Sequence, residues 1–260
     1  MKEKIYQSMI ELTNGKQSSL LLKRLTTSAL SKKFIQRYTK VYEINIEEVS
    51  KAIENYKSLH EFFTRSLKEG VRPIAEGEKV FASPVDAKIE AVGDIWDCMT
   101  LIVKNKPYSL TDLLGSQERA ARYRNGKYIV FYLSPADYHR IHSPIDGKVV
   151  RQYVLGQKSY PVNRHGLTYG RKPISHNYRM ISELAYAQNR HTALIKVGAM
   201  FVNSIQLTNI TDVWSKGEEI GYFTFGSTVV MLFEKDAIEF CENIVSGAAI
   251  RMGQAFANML

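Results

Sequence analysis

Cysteine is nearly absent from this chain: Cys98 and Cys241 are the only two in 260 residues, in no CxxC or finger-like spacing. That argues against a disulfide framework and against a thiolate metal site. His165, His176 and His191 offer no motif-like spacing either, so no metal is expected. No apolar run approaches the roughly 20 residues needed to cross a bilayer, and the N-terminus has no apolar signal-peptide core. The expectation is a chain in a reducing cytosol, neither exported nor integral to a membrane. A Gly-x-Ser-x-Gly elbow is missing, as is any low-complexity linker that would force a second independent domain.

Apolar residues make up 45% of the chain and charged residues 23%, ordinary values for a globular protein with a substantial core. The net charge of +9 is unevenly spread. Lys2, Lys4, Lys16, Lys23, Arg24, Lys32, Lys33, Arg37 and Lys40 stand against Glu3 and Glu11 alone, which puts +7 in the first 40 residues. Among those cations Leu21, Leu22, Leu25, Ala29, Phe34, Ile35 and Tyr38 recur at helical spacing, the pattern of a basic amphipathic helix or helix pair. Such a surface suits anionic lipid headgroups, at about 1 kcal/mol per cation. The alternative is that the apolar stripe docks on the protein's own core and the charges are a solvated face. No nucleic-acid module accompanies the charge.

Helical spacing continues through Ile46, Val49, Ile53, Leu59, Phe62, Phe63 and Leu67, to about residue 68. Beyond it, short β-prone runs bounded by turn residues predominate: 88–92, 100–103, 128–133, 148–154, 193–197, 205–207, 219–225 and 228–233. Ser109 to Gly115 reads as a short capped helix with a glycine stop. The fold class expected is α+β: a helical, membrane-facing segment over 1–68, then a mostly antiparallel β core over 69–260. Ser83-Pro84-Val85-Asp86-Ala87-Lys88-Ile89 echoes Ser143-Pro144-Ile145-Asp146-Gly147-Lys148-Val149. That echo suggests an internally duplicated sandwich or hybrid barrel.

Two features carry chemistry. In Phe225-Gly226-Ser227-Thr228 the Ser227 hydroxyl can add to the Gly226 carbonyl, whose torsions no Cβ restricts. In Tyr138-His139-Arg140-Ile141-His142-Ser143-Pro144, a cap at Ser134, Pro135 at the first turn and Asp137 completing a capping box predict a short helix. His139 and His142 would then share one helix face, at i and i+3, suited to proton transfer.

These residues, together with Asp86, resemble the pattern of the pyruvoyl-dependent phosphatidylserine decarboxylases. The match runs in order through Ser58-Leu59-His60-Glu61-Phe62-Phe63-Thr64-Arg65-Ser66-Leu67-Lys68-Glu69-Gly70-Val71-Arg72-Pro73-Ile74, Ser83-Pro84-Val85-Asp86, the segment from Tyr132 to Pro144, Pro161-Val162-Asn163, Val197-Gly198-Ala199 and Phe225-Gly226-Ser227-Thr228. The resemblance implies a self-processing triad of Asp86, His142 and Ser227, in which the carboxylate orients the imidazole and the imidazole takes the Ser227 proton. It implies cleavage between Gly226 and Ser227 into chains 1–226 and 227–260 that stay associated, with Ser227 converted to a covalent pyruvoyl cofactor. That group would form a Schiff base with phosphatidylserine and release CO2, giving phosphatidylethanolamine, with His139 handling the substrate carboxylate or protonating the carbanion. It further implies a peripheral enzyme on the cytoplasmic face of the cell membrane, with phosphatidylserine in an anionic surface as partner, no nucleic acid, and room for a homo-oligomer.

The chain departs from the family pattern at Ala87, at Asn189-Arg190-His191, and in Val197-Gly198-Ala199-Met200-Phe201-Val202-Asn203. Asp146 rivals Asp86 as the triad carboxylate, because it lies nearer His142 in sequence. A serine hydrolase and a lipoyl-type carrier module are the competing functions. Neither predicts a chain that cuts itself.

Overall fold

A computed structural model describes residues 24–162, 167, 172–199, 205–224 and 227–260. Residues 1–23 with Lys2, Glu3, Lys4, Glu11, Lys16, Leu21, Leu22 and Lys23, together with Asn163, His165, 200–203, Phe225 and Gly226 from the sequence reading, lie outside these residues. Sixteen strands are described, and every pairing between them is antiparallel. They are β1 (Val80–Ala82), β2 (Ala87–Asp94), β3 (Thr100–Val103), β4 (Lys106–Ser109), β5 (Lys127–Leu133), β6 (Arg140–His142), β7 (Gly147–Leu155), β8 (Arg179–Tyr186), β9 (Arg190–Gly198), β10 (Ile205–Leu207), β11 (Val213–Trp214), β12 (Glu219–Phe223), β13 (Ser227–Phe233), β14 (Ile238–Phe240), β15 (Ala249–Ile250) and β16 (Ala255–Met259). The mostly antiparallel β character expected from the sequence is present.

The largest sheet runs β11-β7-β8-β9-β13-β5-β2-β15. Two three-stranded sheets, β1-β16-β14 and β6-β12-β10, flank it. Exchanging β1 for β6, β2 for β7, β5 for β8, β9 for β13, and β10, β11 and β12 for β14, β15 and β16 maps this topology onto itself. The Ser-Pro-x-Asp echo in the sequence is thus the visible trace of a pseudo-twofold. The barrel half of the expectation is not met: among the described residues no sheet closes on itself.

Alternation along β13 sorts two cores. Val229, Met231 and Phe233 face the layer between the large and small sheets with Phe81, Ile141 and Phe256, while Val230 and Leu232 face the other side with Leu113, Tyr123 and Ile195. That second side is covered by α3 (Leu110–Leu114) and α4 (Gln117–Ala121), with β3 and β4. Ser109 caps α3, accepting from Asp112 N–H at 3.3 Å. Gly115 ends the helix at φ +72°, and a Cβ there would lie 2.7 Å from Leu155.

Among the described residues the helical spacing read up to about residue 68 is realised only in short pieces. The described part of that segment is broken into short 3-10 turns, α1 (Ile35–Val41) and α2 (Leu59–Phe63). Ile35, Ile44, Val49, Tyr56 and Phe62 make a small core of their own. Each piece is too short for propensity alone to sustain it, and packing on that core holds it in place.

Candidate active site

The chain passes between the large sheet and a small sheet twice, and the strands that flank the two passages pair with one another. β5 passes to β6 through residues 134–139, and β12 passes to β13 through 224–226. β5 pairs with β13, placing Leu133 opposite Ser227, and β6 pairs with β12, placing Arg140 opposite Tyr222. Between these rungs Phe223 N–H donates to the His139 carbonyl at 2.9 Å. The histidine-bearing turn therefore leaves β5 at the residue paired with Ser227 and is hydrogen-bonded to Phe223 near the end of β12.

The short helix expected for the His pair does not form. Ser134 and Asp137 make their reciprocal cap, with Ser134 N–H donating to the Asp137 carboxylate at 2.6 Å and Asp137 N–H to the Ser134 carbonyl at 3.0 Å. One turn later, pairing with β12 draws the chain out, and His142 ends up on a strand. Tertiary hydrogen bonding overrides the local signal.

His139 is fully buried, and its ring lies 4.0 Å from that of Phe63. Its Nδ1–H donates to the Asp137 carbonyl at 2.8 Å, which leaves Nε2 a bare acceptor, buried and without a partner. Burial, reinforced by the Arg65 cation, pushes its pKa down to about 3, so the imidazole is neutral.

His142 has the same tautomer. Nδ1–H donates to the Gly217 carbonyl at 2.8 Å, and Tyr138 Oη donates to Nε2 at 3.1 Å. Burial lowers its pKa below the usual histidine value. Gly217 sits at φ +82°, and a Cβ there would meet Ile74 at 2.7 Å, so the carbonyl that orients His142 depends on glycine.

Asp86 is buried and fully engaged elsewhere. Arg72 grips both carboxylate oxygens, with Nε at 2.9 and 3.1 Å and Nη2 at 2.6 Å, and Met252 N–H donates at 2.7 Å. Arg72 also pairs with Glu48 at 2.7 Å. Although burial opposes the guanidinium charge, Asp86 and Glu48 more than compensate and raise its pKa. No hydrogen bond among the described residues joins Asp86 to His142 or His142 to Ser227. What links the first two is His142 N–H donating to the Pro84 carbonyl at 2.9 Å, together with the Asp86 charge acting on His142. The rival Asp146 is exposed and accepts from Lys216 N–H at 2.7 Å.

Ser227 opens β13 between β5 and β9, fully buried, its hydroxyl without a partner. That hydroxyl, desolvated at the end of a central strand, makes no hydrogen bond that the fold would lose if it reacted. Sequence reading missed the residues that fix the site: Arg72, Arg65, Tyr138 and Gly217. Both arginines lie within the quoted run 58–74, and Arg72 is set between Val71 and Pro73. That was the available signal.

A family model described as phosphatidylserine decarboxylase matches residues 59–258. A phosphatidylserine decarboxylase proenzyme of Bacillus cereus (strain B4264) is 50% identical over 260 residues, covering 100% of this chain and 99% of the relative. One from Bacillus thuringiensis (strain Al Hakam) gives the same identity and coverage. One from Geobacillus sp. (strain WCH70) is 52% identical over 250 residues, 96% of each chain.

Proposed function

The chain belongs to the phosphatidylserine decarboxylase family, and on that premise we propose how its own residues make and use the active group. The activity is decarboxylation of phosphatidylserine to phosphatidylethanolamine, carried out by a proenzyme that cleaves itself to form a pyruvoyl group. That group supplies an electrophilic carbonyl that takes the substrate amine and draws in the electron pair left when CO2 departs.

In our reading the cut falls between Gly226 and Ser227. The observation that carries it is Ser227 itself, a buried, unpartnered hydroxyl directly beside the histidine-bearing crossing. His142 takes the Ser227 proton on Nε2 once Tyr138 gives way. The Gly217 carbonyl orients the ring, a task the carboxylate performs in a Ser-His-Asp triad. Asp86, clamped by Arg72, acts on His142 through its charge. Oγ bonds to the Gly226 carbonyl carbon, the C–N bond breaks and the Ser227 nitrogen receives the proton, which leaves an ester. Loss of the Ser227 Cα proton then expels the Gly226 carboxylate and leaves dehydroalanine at 227, which tautomerises to an imine; water adds at Cα, the nitrogen leaves as ammonia, and the pyruvoyl carbonyl remains.

The products 1–226 and 227–260 stay together because the small chain is woven through the fold. β13 is hydrogen-bonded along both edges, to β5 and β9, β15 pairs with β2, and β16 pairs with β1. His139, neutral and with Nε2 unpartnered, handles the substrate carboxylate or protonates the carbanion in this reading.

Residues 1–68 form the membrane-facing unit of this reading and 69–260 the catalytic core. Leu25, Leu30, Phe34, Val41 and Ile46 are exposed among exposed Arg24, Lys32, Lys33, Arg37 and Lys40. Shallow apolar insertion combined with attraction to anionic lipid would hold the enzyme peripherally on the cytoplasmic face. Among the described residues no helix is long and apolar enough to cross a membrane.

The division of labour is tested by His142→Ala, which should block cleavage, and His139→Ala, which should cleave yet release no CO2. Identical cleavage defects in both would remove it.

A further inference from the structure

The residues that hold His139 come from the N-terminal segment. Tyr38 Oη donates to the Pro135 carbonyl at 2.8 Å, and Arg140 Nε donates to the Thr64 carbonyl at 3.1 Å. Arg65 reaches deepest, its Nη2 donating to the carbonyls of Ala136 at 2.7 Å and Asp137 at 3.1 Å. The Asp137 carbonyl is also the acceptor for His139 Nδ1–H. One carbonyl oxygen, with its two lone pairs, thus joins a guanidinium to the imidazole.

Arg65 is only 4% exposed, makes no ion pair with a carboxylate among the described residues, and leaves Nε and Nη1 without acceptors. Burying a guanidinium on such terms is costly, and the fold has an ordinary salt-bridged alternative in Arg72. A cation kept unneutralised beside a histidine calls for a reason within the site.

We propose that Arg65 is a positioning residue for decarboxylation, fixing His139 through the shared Asp137 carbonyl so that Nε2 alone exchanges the proton the reaction consumes. The proposal rests on the role given to His139 above. When CO2 leaves, the bond from the carboxyl carbon to Cα breaks and its electron pair stays with Cα. A proton on Nε2 forms the new C–H bond, and the imidazole returns to neutral and is reloaded from water, one proton per turnover. In the empty site burial and the Arg65 charge keep Nε2 unprotonated. The groups bearing on the ring are Arg65 and Asp137, with Phe63 packed against it. An arriving substrate carboxylate supplies the opposite charge that favours protonation. Arg65 thereby ties the proton to the presence of substrate.

The test uses ¹⁵N-histidine NMR and turnover on phosphatidylserine vesicles for wild type, Arg65→Met and Arg65→Lys. Wild-type His139 should show only the Nδ1–H tautomer and stay neutral down to pH 5. In Arg65→Met it should show both tautomers and titrate closer to the ordinary value near 6.5. Turnover should fall about 10- to 100-fold with self-cleavage complete, less than the roughly 10²- to 10⁴-fold that a positioned proton transfer supplies in full, because His139 itself remains. Arg65→Lys, which keeps the charge and part of the hydrogen bonding, should recover at least part of both signals. An unchanged tautomer and turnover within twofold in Arg65→Met would overturn the proposal. So would failure of Arg65→Met to cleave, since Arg65 would then serve maturation. His139→Ala decarboxylating at the wild-type rate would sink the histidine reading instead, a distinguishable result.

Discussion

The two Ser-Pro-x-Asp corners share one backbone and do different work. In each, the serine hydroxyl donates to the carbonyl two residues on at 2.8 Å, Ser83 to Val85 and Ser143 to Ile145. In each, the aspartate accepts from the amide that precedes a positive-φ glycine at 2.7 Å, Asp86 from Met252 and Asp146 from Lys216. The corners also clasp one another: Ala82 N–H donates to the Pro144 carbonyl and His142 N–H to the Pro84 carbonyl, both at 2.9 Å. What differs is what was added. The first corner is buried and gains Arg72 and Glu48, whereas the second leaves Asp146 exposed and carries His142 where the first has Ala82. The pseudo-twofold supplies precise backbone geometry twice, and the site arises where the symmetry is broken.

The hardest test of that asymmetry exchanges the two carboxylates for amides. Asp86→Asn should slow self-cleavage by about 10²- to 10³-fold, less than the roughly 10⁴-fold of a carboxylate hydrogen-bonded to its histidine, because Asp86 acts on His142 through its charge. Asp146→Asn should stay within a few-fold, because Asp146 is exposed and accepts from the backbone amide of Lys216, a bond that the amide oxygen of Asn can keep. A time course on denaturing gels reads both, and equal defects would erase the distinction between the corners.

Arg72→Met probes the added clamp. It leaves Asp86 buried and unpaired, a change that typically costs about 3–5 kcal/mol, and should slow cleavage by roughly 10- to 100-fold and lower the thermal midpoint. Glu48→Gln, which spares the Arg72–Asp86 contact, should do less. If Glu48→Gln is the more damaging, the clamp is ordered the other way.

The central strands differ in the same manner, since Val229 on β13 faces Lys196 on β9. Lys196 is fully buried, donates to Ser182 Oγ at 2.6 Å, and is lowered by burial to about 7. Its unfolded value is near 10.4, so the unfolded chain holds the proton more tightly, and stability is lost as pH falls from about 10 towards 7. Lys196→Met should therefore raise stability at pH 7 by roughly 1–3 kcal/mol, with the gain shrinking towards pH 10. Chemical denaturation at the two pH values measures it.

The smallest effect belongs to the N-terminal segment, which supplies Glu48 to the first corner. Changing Lys23, Arg24, Lys32 and Lys33 to Gln should weaken binding to anionic vesicles several-fold at low salt, and less as screening grows. Equal co-sedimentation of variant and wild type would make these cations a solvated face.

Much of this architecture was legible in the sequence, because alternating β-branched and aromatic runs such as 128–133 and 228–233 are strands buried on both faces. β8 was missed: Arg179, Ser182 and Glu183 are buried polar residues that break its alternation, with Arg179 spent on the carbonyls of Asp112 and Leu113. The histidines were found by type and order, but their setting was misread as a helix because pairing with β12 has no local signature. The clamp was invisible for a related reason. Ion pairs such as Arg72 with Glu48 and Asp86 join residues whose spacing follows no period.

The central claim is that Ser227 becomes the active group by cutting its own chain. Intact mass spectrometry of the purified protein, folded and supplied with membranes, tests it most directly. The account predicts two species, residues 1–226 and a 227–260 chain beginning with a pyruvoyl group, while Ser227→Ala remains one chain of 29.6 kDa. A wild-type protein that stays whole, or one cut at any other bond, would contradict it.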